Sequence, residues 1–95
     1  MYGTVARVRV KAGNEQEFLK MADDASSIPG FAFNHVYKPD GGNNEYILVA
    51  GFESKDAYVK NANSPEQHQR YLQYRELLES DPEWNDGEIV SAHSA

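Results

Sequence analysis

Hydrophobic and polar residues alternate from Tyr2 to Lys11, with Val8 and Val10 set between Arg7, Arg9 and Lys11. A period close to two predicts a half-buried β-strand. Gly13 breaks the run. Asn14 followed by Glu17 has the pattern of a capping box and predicts a helix start. Phe18, Met21, Ala22, Ala25 and Ile28 then recur at intervals of three and four up to Pro29-Gly30, the narrow apolar stripe of an amphipathic helix. Alternation returns from Phe31 to Lys38, placing Phe31, Phe33, His35 and Tyr37 on one face and Ala32, Asn34, Val36 and Lys38 on the other. The turn-forming run Asp40-Gly41-Gly42-Asn43-Asn44 predicts a hairpin into a third strand, Tyr46 to Phe52, which is apolar on both faces as in a strand covered on each side.

Ser54 is placed to cap a short helix through Lys60, and Ser64-Pro65-Glu66-Gln67 opens another with proline in its first turn. Asp81-Pro82 ends it. The chain then turns through Asn85-Asp86-Gly87 into a predicted final strand, Glu88 to His93. The order β-α-β-β-α-β over a single domain, residues 1–95, predicts an α+β, ferredoxin-like fold: a four-stranded antiparallel sheet with its helices on one face. The other face of the doubly apolar third strand needs a cover, so a homodimer with sheets packed face to face is expected.

Composition narrows the function. Fifteen acidic against nine basic residues give a net charge of −6, and the basic residues form no stripe, so neither nucleic acid nor an anionic membrane is an expected partner. Cysteine is absent, which removes disulfides, thiolate metal sites and thiol nucleophiles. The alternating N-terminus carries no apolar leader and no segment is long enough to span a membrane, so the expected location is cytoplasmic. His35, His68 and His93 stand in no ligand-spaced motif, and neither a P-loop nor a dinucleotide-binding glycine pattern occurs. No metal and no cofactor is expected.

Candidate chemistry gathers on the helix that opens at Ser64. His68 and Tyr71 are three residues apart, about 60° around the helix at 100° per residue, and so are surface neighbours. If they point beneath the helix, an imidazole suits proton abstraction near neutral pH and a phenol can hold a developing oxyanion. The competing reading makes His68 a boundary residue bonded to a tyrosine or the backbone, and the tyrosines ordinary core edges. His35 faces an aromatic pocket or the dimer seam, as a second candidate base or a neutral structural residue. Arg75 is expected to pair with Glu79 or Glu76. Arg7 and Arg9 share a strand face and either bind a carboxylate ligand or bridge to a second subunit. Trp84 is a lid over the helix end or a loop anchor.

The stretches GTVARVRVKAGNEQEFL, IPGF and FESKDAYVKNANSPEQHQRY, together with the pattern around them, resemble the antibiotic biosynthesis monooxygenase family of the dimeric α/β-barrel superfamily over nearly the whole chain. That resemblance implies a homodimer with a pocket between the helices and the sheet of each subunit. It also implies oxidation of a small aromatic molecule, a quinol or anthrone-like ring, by oxygen without a cofactor. Joined to the helix arithmetic, it makes His68, Tyr71 and less directly His35 the candidate catalytic residues, although His68 does not stand at the family's histidine position, with Asn34, Tyr37, Phe52, Asn61 and Trp84 binding substrate. Many members carry Trp where this chain has Phe52 and His where it has Asn61. The haem-degrading branch has Trp at the place of Asn61 and His at that of Tyr71, so haem turnover is not expected. A noncatalytic small-ligand-binding or stress-related dimer, and a small-lactone isomerase using an acid-base pair, are the alternatives on the same fold.

Overall fold

The computed structural model describes residues 1–94. The chain runs β1 (Tyr2–Arg9), α1 (Glu15–Asp23) with a 3₁₀ turn at Asp24–Ser27, β2 (Phe31–Tyr37), β3 (Glu45–Phe52), α2 (Lys55–Ala62), α3 (Pro65–Glu76) and β4 (Glu83–Glu88). All neighbouring strands pair antiparallel, in the order β2-β3-β1-β4. This is the expected ferredoxin-like topology. None of the described helices is long and apolar enough to cross a membrane.

The helix starts follow the sequence signals unevenly. Ser54 accepts a hydrogen bond from the Ala57 amide and Ser64 one from the Gln67 amide, so both serines cap as their positions predict. Asn14 does not: its side chain makes no capping bond, and only its backbone carbonyl accepts, from the Phe18 amide at 3.0 Å. The long second helical segment is broken at Asn63-Ser64, where the cap of α3 interrupts the turn.

Strand register sorts the side chains. Thr4 opposes Ala50, Ala6 opposes Leu48 and Val8 opposes Tyr46, and these face the helices. Val5, Arg7 and Arg9 share the opposite, open face with Ile47, Val49, Phe33, His35 and Tyr37. A bulge between Phe31 and Phe33 alters the alternation predicted for β2: Phe31 pairs with Phe52 and turns toward the helices, while Phe33 pairs with Gly51 and stays on the open face. The final strand also differs from expectation. It is Glu83–Glu88, pairing along β1 from Arg7 to Tyr2, and residues 89–94 have no regular structure. Asn85-Asp86-Gly87 therefore lies within an edge strand instead of turning into one, because pairing with β1 outweighs the local turn preference. Trp84 is thus a strand residue opposite Ala6, neither a lid nor a loop anchor.

The core sits at one end of the helix–sheet interface. Phe18, Val10 and Leu78 are fully buried beside Val8 and Tyr46. The Phe18 ring lies 5.2 Å from that of Tyr46 on β3 and 5.6 Å from that of Tyr74 on α3, so a single side chain joins α1, α3 and the sheet. The open face is held by charge instead. Glu45 receives Arg7 at 3.4 Å and Arg9 at 3.8 Å, and Arg9 also reaches Glu79 at 3.8 Å. Arg75 pairs with Asp81 at 2.6 Å and donates to the Leu78 carbonyl at 3.0 Å, not with Glu76 or Glu79, because the chain folds back after α3 and brings Asp81 to it.

Truncation of Phe18 removes the contact between all three layers. Phe18→Ala is expected to lower the unfolding free energy by about 3–5 kcal/mol, read as a reduced urea midpoint. An unchanged midpoint would contradict this role.

Candidate functional site

At the other end of the interface small residues stand among larger ones. Ala22 and Ala25 on the helical side, Ala50 on β3 and Ala62 on α2 leave a cavity of about 510 Å³ between helices and sheet. Phe52 closes one wall. Its ring meets Phe31 edge-on at 6.0 Å and Tyr58 at 5.5 Å, forming an aromatic corner. The volume suits a ligand of one to a few fused rings, held by apolar walls and oriented by a few polar groups.

Four of the polar groups come from one helical stripe. Gln67, Arg70, Tyr71 and Tyr74 lie at positions i, i+3, i+4 and i+7 of α3, and all four line the cavity. His68 lies beside that stripe, also lining the cavity but with an exposed side chain, so it stands at the rim. The Gln67 carbonyl oxygen accepts from Arg70 Nη1 at 2.8 Å and from Asn61 Nδ2 at 3.4 Å, linking α2 to α3. Opposite them, on β2, Asn34 donates through Nδ2 to the Ala22 carbonyl at 2.8 Å. Its amide nitrogen is thereby committed to holding α1 on the sheet, and its oxygen is the group it offers the cavity.

A second polar pair crosses between α2 and β4. Tyr58 donates to Asp86 Oδ1 at 2.8 Å. Burial, followed by the hydrogen bond to Asp86 and its negative charge, pushes the Tyr58 phenol well above its ordinary range, so it remains a donor. Burial, with a smaller contribution from Tyr71, does the same to Tyr74. Two wall hydroxyls, Thr4 Oγ1 and Tyr74 Oη, are buried without a hydrogen-bond partner in the described residues. Such unpaired groups are costly in a finished core and commoner in binding sites. No group of three or more potential metal ligands occurs among the described residues.

The structure therefore brings together His68, Tyr71, Asn34, Phe52, Asn61 and Trp84 from the sequence-predicted set. His35 and Tyr37 are separated from them. Both are exposed on the open face, opposite Val49 and Ile47 respectively, where His35 stacks on Phe33 at 5.5 Å. Strict alternation after the bulge sends their side chains away from the helices, so neither belongs to this cavity wall. Sequence reasoning missed Gln67, Arg70, Tyr58 and Asp86. The first two were legible in the inner stripe of α3, whereas the Tyr58–Asp86 pair joins residues 28 apart in the chain.

Residues 1–74 match the family model described as antibiotic biosynthesis monooxygenase. No curated protein matches the sequence significantly. Among solved structures, SnoaB, a cofactor-independent oxygenase from Streptomyces nogalater, superposes with a TM-score of 0.79 at 19% identity, covering 96% of this chain and 94% of that one. A Chloroflexus aurantiacus protein classed with the antibiotic biosynthesis monooxygenases gives a TM-score of 0.80 at 19% identity, covering 98% and 96%. One from Deinococcus radiodurans, classed in the same way, gives 0.79 at 13% identity, covering 100% and 98%. At these identities the likeness establishes the fold.

Proposed function

The chain belongs to the antibiotic biosynthesis monooxygenase family, and from that membership we propose that it oxidises a small quinol-like or phenolic ring with molecular oxygen, without a cofactor. The single observation supporting this reading is the cavity: an apolar, aromatic-walled space of ring size into which His68, Tyr71 and Asn34 project from two elements. His68 at the rim takes a proton from a phenol or an activated methylene. The resulting anion is electron-rich, and the Tyr71 hydroxyl donates a hydrogen bond to its oxygen while Asn34 Oδ1 accepts from a second ring hydroxyl. The anion reduces oxygen directly. For a methylene the balance is CH₂ plus O₂ giving C=O plus water, and for a quinol with a free ring C–H it is quinol plus O₂ giving hydroxyquinone plus water, each through a hydroperoxide that loses water. Apolar walls exclude bulk water from the anion meanwhile.

A binding protein without turnover is the second reading. It is favoured by Asn61, which fills its place with a neutral amide engaged to Gln67. Oxygen uptake separates the two. With anthrone and 1,4-naphthohydroquinone as probes and no added cofactor, the protein is expected to accelerate uptake above the spontaneous rate. His68→Ala is expected to lower that acceleration by about 100-fold or more, the usual worth of a positioned base. Uptake equal to the protein-free rate favours the binding protein; full uptake in His68→Ala removes His68 from the reaction.

We also propose that a second copy covers the open sheet face. Support comes from Val5 and Tyr37, which are 45% and 59% exposed there beside Phe33, Ile47 and Val49. Sedimentation velocity at micromolar concentration is expected to give a dimer mass, and a single monomeric species would contradict it.

A further inference from the structure

The four arginines of this chain are not equivalent. Arg7, Arg9 and Arg75 each reach a carboxylate within 4 Å, as a chain with 15 acidic residues readily permits. Arg70 reaches none among the described residues, although it is half-buried in the wall of the cavity. Its one hydrogen bond, Nη1 to Gln67 Oε1 at 2.8 Å, goes to a neutral amide that Asn61 also holds in place. That bond fixes the guanidinium without neutralising it. A guanidinium carries five N–H donors in a planar fork, and one is used here. Half-burying a cation without a counter-charge is unfavourable unless an anion arrives from elsewhere. Among the described residues the only other permanently charged side chain in the wall is Asp86, and Tyr58 already donates to it.

We infer that Arg70 is a specificity-determining residue that binds a carboxylate carried by the aromatic ligand. The inference rests on the reading of this cavity as an aromatic-binding site and names which aromatics it selects. A carboxylate accepts two parallel N–H bonds from the fork, which fixes the ring in one orientation as well as holding it. The surrounding charge makes this selective. With a net charge of −6, the protein as a whole repels anions, so an acid enters this cavity against the general field only because Arg70 lies within it.

Isothermal titration calorimetry with 2-naphthoate and 2-naphthol compares two ligands of one ring system that differ in the acid group. The unaltered protein is expected to bind 2-naphthoate about tenfold or more tightly than 2-naphthol, the usual worth of a charge-assisted pair. Arg70→Gln is expected to abolish the preference by weakening 2-naphthoate about tenfold or more relative to 2-naphthol, and Arg70→Lys to restore part of it. Lys20→Gln, which removes one positive charge from the exposed side of α1, is expected to retain the full preference. Equal affinities in the unaltered protein, or a preference that survives Arg70→Gln, overturn the inference and leave the aromatic cavity standing. Failure of both ligands to bind at millimolar concentration overturns the aromatic reading and this inference together. If Arg70→Gln fails to fold, Arg70→Lys serves in its place: a reduced preference supports the inference and an undiminished one overturns it.

Discussion

Phe18 is the contact on which the rest of the structure depends. Its ring lies between Tyr46 of the sheet and Tyr74 of α3, and it is fully buried on a helix that otherwise presents mostly exposed residues to solvent. At the far end of the helix–sheet interface Ala22, Ala25, Ala50 and Ala62 lie among the aromatic and aliphatic walls of the cavity. Packed interiors leave space only where side chains fall short of it, and these four small side chains leave room among the larger ones.

Tyr74 connects the two ends. Its ring packs on Phe18 in the core and another part of it lines the cavity, while its hydroxyl is buried and unpaired. The stripe that carries Tyr74 also carries Tyr71, Arg70 and Gln67, so the helix that completes the core is the one that equips the site. Charge follows the same division. Arginines on the open face and at the end of α3 are neutralised by Glu45, Glu79 and Asp81, and the remaining guanidinium is placed inside the cavity.

Much of this was legible in the sequence because it depends on local periodicity. Alternation at Val8 and Val10 and the serine caps at Ser54 and Ser64 determine elements within a few residues of themselves. The failures are non-local. The bulge that turns Phe31 inward is set by how β2 meets β3, and it moves His35 and Tyr37 away from the face on which a cavity residue would stand. The strand through Asn85-Asp86-Gly87 exists because β1 offers it an edge, which no window around those residues contains. His68 and Tyr71 are residue types familiar in catalysis, whereas Arg70 between them in the chain becomes legible only when the whole inner stripe of α3 is followed from Gln67 to Tyr74.

The proposed ligand site is the space between α3 and the sheet and not the open face. Amide and indole chemical shifts from nuclear magnetic resonance, followed during titration with 1,4-naphthohydroquinone under anaerobic conditions, test it most directly. Shifts confined to Asn61, Gln67 to Tyr74, Ala50 and the Trp84 indole would be the expected result. Shifts centred on Phe33, His35 and Val49, or none at all, would contradict the account.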